Sequence, residues 1–222
     1  MASGDRYLTL SLEFSACVGM GCCVNPVDLQ LMPEDHFREL REEEIYPDVS
    51  RPLEVDLGSG DGGFLRAMAE HFPEREFLGV ERLLGRVRKT CRKASKLGLT
   101  NLRMLRLEST YTLGYLLPAA GISRVHLLFP DPWPKKKHHK RRLVNQEFCE
   151  GLQRVLEHGG EFLFKTDHLE YFEEAMEALR SSRIFDELAW GDDDFFYAGT
   201  DFEELWTGQG RSIYRARFSV KA

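Results

Sequence analysis

The sequence predicts an α/β protein built on a mostly parallel β-sheet with helices on both faces. Three observations predict it. From Leu53 onward, short β-like runs alternate with helical periods; a glycine-rich turn, GSGDGG, follows the first strong run; and successive strand ends each deliver that turn or an acid to one rim. The chain has 222 residues, 42% of them hydrophobic and 11% aromatic, enough for a sizeable core in one large domain or a domain with an extension. This composition excludes a disordered chain, and no apolar run approaches the ~20 residues that span a bilayer.

Residues 1–45 read as an extension of unclear role: an alternating stretch at Tyr7–Leu10, a Gly/Cys-rich piece, and the charged RELREEE. The domain proper is expected over 46–222. LEVDL (53–57) is the opening strand, GSGDGG the turn, and Phe64, Leu65, Met68, Ala69 and Phe72 fall at helical spacing. EFLGV (76–80) is the second strand, followed by a basic helix to about Leu97 that stops at Gly98. LRMLRL (102–107) and VHLLF (125–129) are the third and fourth strands, the latter ended by the prolines of FPDPWP. A helix over 145–156 is expected to end at Gly159 and Gly160, with EFLFK (161–165) as the fifth strand, EYFEEAMEAL (170–179) as a helix and IYRARF (213–218) as a late strand. Ligands in such sheets sit beyond the carboxyl ends of the strands, which here carry Gly58–Gly63, Glu81, Glu108, Asp131 and Asp167.

The formal net charge of −6 hides a strong asymmetry. Residues 82–106 hold nine Lys/Arg and no acid, and KKKHHKRR (135–142) holds six more, so half of the thirty basic residues lie in two short stretches of an otherwise acidic chain. The segment Asp186–Glu204 is the reverse, with eight acids and no Lys/Arg. Five cysteines, at 17, 22, 23, 91 and 149, are an odd number without Cys-x-x-Cys or Cys/His ligand spacing, so neither a disulfide framework nor a metal site is indicated. The charge-free run 14–27 imitates a secretory core but lacks a basic segment before it, and a reducing, cytoplasmic setting is expected, with no membrane partner.

Gly58-Ser-Gly60-Asp-Gly62-Gly63 satisfies both the dinucleotide fingerprint and the G-x-G-x-G turn that resembles S-adenosylmethionine-dependent methyltransferases. The glycines alone do not decide. A dinucleotide turn sets backbone N–H groups against a pyrophosphate, which Asp56 before the turn and Asp61 inside it would repel, whereas the ammonium and sulfonium of S-adenosylmethionine favour nearby carboxylates. Glu81 is placed for ribose hydroxyls under either cofactor, and Glu108 for an adenine amino group.

In FPDPWPKKKHHKRR (129–142) an acid sits between two prolines, beside an aromatic and directly before a basic run. A rigid turn would place Asp131 at the cofactor rim while the Lys/Arg run reaches outward to the phosphates of a polyanion. Trp133 is either a base-stacking platform or simply packed, and adjacent His138 and His139 read as phosphate or backbone donors, not metal ligands.

VDLGSGDGGFL, FLGVER, FPDPWPKKKHHKRR, FKTDHLEYF and TDFEELWTGQGRSIYR together resemble the tRNA (guanine-N7-)-methyltransferase family over about residues 46–218. The resemblance implies a Rossmann-like class I methyltransferase fold with a mostly parallel seven-stranded sheet, and methyl transfer from S-adenosylmethionine to N7 of the guanine at position 46 in the tRNA variable loop. It implies cofactor contacts at Asp56, Gly58, Gly60, Gly62, Glu81, Glu108 and Asp131, with Asp131 also at the reaction centre. Contacts to tRNA or the target guanine are implied at Lys135, Asp167, Thr200 and Glu203. Asp56 stands where members often have Glu, and Glu108-Ser109 where they often have Asp-Ala. Either a monomer or a homodimer fits. N7 of guanine carries no proton and needs no base, so positioning should dominate, with Asp131 or Asp167 accepting from the guanine N1–H and N2–H₂ edge. Competing readings are a methyltransferase of the same fold acting on another RNA or a small molecule, an RNA-binding protein with a vestigial cofactor fold, and a nicotinamide oxidoreductase.

Overall fold

A computed structural model describes residues 24–46, 48–191 and 194–221; the alternating stretch, the Gly/Cys-rich piece and Cys17, Cys22 and Cys23 lie outside them. In chain order the elements are β1 (Gln30–Leu31), α1 (Glu42–Ile45), β2 (Leu53–Leu57), α2 (Gly63–His71), β3 (Glu76–Val80), α3 (Leu84–Lys96), β4 (Leu102–Leu105) and α4 (Ser109–Tyr111). There follow a π-turn (Thr112–Leu116), β5 (Ile122–Leu128), a 3₁₀ segment (Lys136–Arg141), α5 (Gln146–Val155), β6 (Leu156–Thr166), α6 (Leu169–Ser182), β7 (Phe185–Leu188), α7 (Asp201–Gly208) and β8 (Tyr214–Val220).

The strands form one sheet in the order β1-β4-β3-β2-β5-β6-β8-β7. Pairing is parallel from β1 to β6 and antiparallel where β8 meets β6 and β7. The expected mostly parallel sheet is therefore present, with the two-residue β1 added as an eighth strand on its edge. Buried positions separate into two layers, as helices on both faces require. Phe148, Leu152, Tyr171, Ala175 and Leu179 of α5 and α6 pack on one side. Phe64, Leu65 and Met68 of α2 and Val87, Cys91 and Ala94 of α3 pack on the other. Residues 24–46 join these layers through Leu29, Leu31, Leu40, Ile45 and Tyr46.

β2 and β3 are buried along their whole length, which is why LEVDL and EFLGV read as continuous runs and not alternations. Gly159 and Gly160, expected to stop a helix, lie inside β6 instead: α5 ends at Val155, and the register with β5 slips between Ile122 and Arg124. Gly159 has φ +75°, and a Cβ on Gly160 would come within 2.9 Å of the Glu157 carbonyl oxygen and 3.0 Å of that of Ile122. Glycine is needed there to form a bulge.

Candidate active site

A cavity of about 750 Å³ opens beyond the carboxyl ends of β2, β3, β4 and β5. Its floor and walls include Asp56, Gly58, Gly60, Glu81, Glu108, Asp131 and Thr200, so seven of the expected site residues converge on one space. Gly62, Lys135, Asp167 and Glu203 are not among its lining residues.

The glycine turn is made by left-handed backbone at Gly58 (φ +80°), Gly60 (φ +55°) and Gly62 (φ +67°). Gly62 serves packing, since a Cβ there would stand 2.3 Å from a methyl carbon of Thr90 in α3. Asp61 is ion-paired to Lys89 and lies 3.7 Å from Arg86, and the Lys89 ammonium holds its carboxyl below the usual range. Its charge is thus offset from across the turn. The argument against a diphosphate consequently rests on Asp56 alone.

Asp56 is 3% exposed near the end of β2, and no hydrogen bond or ion pair reaches its carboxylate among the described residues. Burial, and secondarily the nearby Glu81 carboxylate, pushes its pKa up to about 7. A buried acid without a partner beside an open cavity fits a cationic ligand group, which would supply the missing counter-charge. The residues present therefore fit S-adenosylmethionine. Glu81 is fixed by accepting from the Leu83 N–H at 2.7 Å, with Arg86 3.6 Å away. Glu108 accepts from the Tyr111 N–H at 2.9 Å and so caps α4.

Asp131 is exposed, without a hydrogen bond or ion pair among the described residues, and two residues in left-handed backbone bracket it, Phe129 (φ +50°) and Trp133 (φ +45°). Both line the cavity. The Trp133 ring lies 4.8 Å under the Arg141 guanidinium and edge-on to His138 at 5.7 Å, so it is packed against its own loop. Across the mouth, Thr200 caps α7 by accepting from the Glu203 N–H at 3.0 Å, which leaves Phe202 half exposed at the rim. The Glu203 carboxylate grips buried Lys165 at 2.7 and 2.9 Å, and Asp167 pairs with Arg211 at 3.2 Å. Asp167 and Glu203 thus hold local partners, whereas Asp131 is free to face a ligand.

Beneath the cavity lies a polar layer invisible to pattern reading. Glu54, fully buried, meets Arg75 at 2.7 Å and His126 Nε2 at 2.8 Å, and His126 Nδ1 meets the Tyr197 hydroxyl at 2.8 Å. Phe195 lies 4.9 Å from both the Arg124 and Arg217 guanidiniums, and the Lys165 ammonium lies 5.3 Å from Trp190 and 5.0 Å from Tyr197. Trp190, Phe195 and Tyr197 in this way set aromatic rings against a charged sheet face, a short distance along the chain from Thr200 at the rim. Arg86, Lys165, Tyr197 and Phe202 were not singled out from sequence: Arg86 was one of nine cations in the basic stretch 82–106, Lys165 the last residue of an expected strand, and the signal for the other two was the aromatic content of the acidic segment.

The model of a family described as a putative methyltransferase matches residues 50–216. The tRNA (guanine-N(7)-)-methyltransferase of Syntrophotalea carbinolica is 39% identical over 120 residues, 54% of this chain and 52% of that protein. Its counterpart in Staphylococcus haemolyticus is 35% identical over 172 residues, 76% and 80% of the two chains, and that in Lactobacillus johnsonii is 32% identical over 187 residues, 81% and 85%. The chain spans about half the length of the first of these relatives and four-fifths or more of the other two. Among solved structures, the 16S rRNA methyltransferase KamB superposes with a TM-score of 0.61 at 17% identity, covering 83% of this chain and 96% of that one. The aminoglycoside resistance methyltransferase NpmB1 gives 0.56 at 20% identity, covering 82% and 94%.

The fold is the α/β, Rossmann-like one that these solved structures share, and the family match over residues 50–216 makes the chain a methyltransferase built on it. Within that class, the chain belongs to the tRNA (guanine-N(7)-)-methyltransferase family.

Proposed function

We propose that this protein transfers a methyl group from S-adenosylmethionine to N7 of a guanine in tRNA, at position 46 of the variable loop. One observation carries the reading: Asp131, a carboxylate without a partner among the described residues, lines the glycine-turn cavity beside the basic loop 135–141. Asp56, Gly58, Gly60, Glu81 and Glu108 would hold the cofactor, whose chemistry is to present a methyl carbon on a positively charged sulfur. Gly62 contributes by fixing the entry to α2. N7 already offers an in-plane lone pair, so no residue need remove a proton there.

Asp131 would accept from the guanine N1–H and N2–H₂ edge, turning N7 toward the cavity and stabilising the positive charge that develops on the base. Lys135 and its neighbours would hold flanking phosphates. Asp167, Thr200 and Glu203 would act at the rim, the last two through the placement of α7 over the mouth. Among the described residues no helix is long and apolar enough to cross a membrane; a cytoplasmic setting, where tRNA is found, is part of this proposal.

The test is transfer of labelled methyl from S-adenosylmethionine to an unmodified tRNA transcript, beside the same transcript carrying 7-deazaguanine at the variable-loop guanine. Label in the first and none in the second is the expected result. Equal labelling of both moves the target to another atom or nucleotide.

A further inference from the structure

Arg142 ends the basic run, but its surroundings differ from those of the rest. Lys135, Lys136, Lys137, Lys140 and Arg141 are exposed, whereas the Arg142 side chain is 3% exposed. Its Nε donates to the carbonyl oxygen of Pro132 at 2.8 Å, its Nη1 lies 2.5 Å from Glu174 Oε2, and its Nη2 lies 3.5 Å from Glu170 Oε2. The guanidinium sits 5.2 Å over the ring of Tyr171, whose hydroxyl accepts from the N–H of Leu143 at 3.0 Å. The other oxygen of Glu174 faces His139 Nδ1 at 3.2 Å. One guanidinium therefore closes loop 132–142 on itself and ties its base to α6.

The carbonyl it holds belongs to the residue directly after Asp131. The Asp131 carboxylate has no partner of its own among the described residues, so its position is set by the backbone of this turn. That backbone places Phe129 and Trp133 in the left-handed region, which is unfavourable for a non-glycine residue and persists only where neighbouring structure enforces it. Arg142 is the enforcing contact on the carboxyl side of Asp131. His139, Glu170 and Glu174 are close enough together to suggest a metal site, but the guanidinium already supplies their positive partner.

We propose that Arg142 and Glu174 are positioning residues: their ion pair clamps the Pro132 carbonyl to α6, so that the loop gripping the RNA and the carboxylate meeting the base move as one unit. The inference rests on the role of Asp131 given above. It also removes Arg142 from the phosphate-binding set in which its place in the basic run puts it.

The two roles separate experimentally. In the full-length chain, Arg142→Gln and Glu174→Gln are compared with wild type for kcat at saturating tRNA and S-adenosylmethionine, and for tRNA Kd as a function of salt. A carboxylate misplaced by about 1 Å loses on the order of 100-fold in rate, so a fall in kcat of roughly tenfold or more is expected in both variants. The salt slope should stay at the wild-type value, since no phosphate contact is removed. Glu174→Gln is the decisive variant. Glu174 is 45% exposed and Glu170 stays 3.5 Å from the guanidinium, so the variant is expected to fold, which a thermal melt beside the assay checks, and removing an acid cannot weaken an RNA contact electrostatically. A wild-type kcat in Glu174→Gln overturns the proposal, as does a slope flattened by about one in Arg142→Gln with kcat unchanged. A wild-type chain that methylates no RNA overturns the proposed function and this role together, whereas an active wild type with an unaffected Glu174→Gln overturns this role alone.

Discussion

A single buried carboxylate, Asp56, should make the proposed cofactor site responsive to pH. Its pKa of about 7 in the folded protein lies well above the ordinary 3.8, so between those values the folded chain keeps a proton that the unfolded chain releases. Stability contributed by this group is present at low pH and lost as pH rises toward 7, by about 4 kcal/mol at pH 8 and less than half of that at pH 5. Asp56→Asn should therefore raise Tm by several degrees at pH 8 and by much less at pH 5, as calorimetry would show, while weakening S-adenosylmethionine binding. An unchanged Tm at pH 8 would mean that the carboxylate finds a counter-charge without ligand. Asp131→Ala has the opposite profile: methylation should be abolished with tRNA affinity and Tm nearly intact, and loss of tRNA binding as well would make the residue structural. Positions of both acids were legible in sequence because Asp56 lies in, and Asp131 just after, a strand that reads clearly. The offsetting of Asp61 was not, because Lys89 lies 28 residues away and reaches it only through the packing of α3 beside the turn.

At the level of elements, strands with a continuous apolar run and helices with a strong hydrophobic period were readable to within a few residues, as β2, β3, α5 and α6 show. Weakly patterned ones were not. β7 is FDEL with one buried residue, β1 is two residues long, and α7 has no buried residue, so tertiary contacts and not local pattern decide them. The 3₁₀ segment Lys136–Arg141 illustrates both outcomes. Its charge announced a polyanion surface, yet nothing local told buried Arg142 apart from exposed Lys135, Lys136 and Lys137. Replacing those three lysines by Ala should weaken tRNA binding and flatten log Kd against log salt by about 2–3, given roughly 0.7–0.9 per phosphate contact. An unchanged slope would move the RNA to another surface, such as the α3 face, where Arg82, Arg88, Arg92, Lys93 and Lys96 are exposed.

Across the whole molecule, an acidic chain carries half of its thirty basic residues in two short stretches, one of them the loop beside the cavity, and buries a further set of charges inside the sheet. The fold class was legible because it depends on the order of strands and helices. The buried layer was not, because Glu54 and His126 sit inside LEVDL and VHLLF, where their neighbours define the strand and their own polarity looks incidental. They are tolerated there because each is matched: Glu54 by Arg75, His126 and, at 3.5 Å, Arg124, and Glu161 by Arg124 and Arg217. Against the pull of burial, these partners hold the Glu54 and Glu161 carboxyls below their ordinary range, so their contribution is present above about pH 4.5 and lost as pH falls further. Burial lowers the His126 pKa, so its contribution is lost earlier, as pH falls below about 6.5. Glu54→Gln leaves two guanidiniums without their shared carboxylate and should cost about 3–5 kcal/mol at pH 8. At pH 4 wild type has itself begun to lose the carboxylate, so the Tm gap between the two proteins should narrow there. A gap of equal size at both pH values would show that Glu54 stabilises by shape and hydrogen bonding, with its charge contributing nothing.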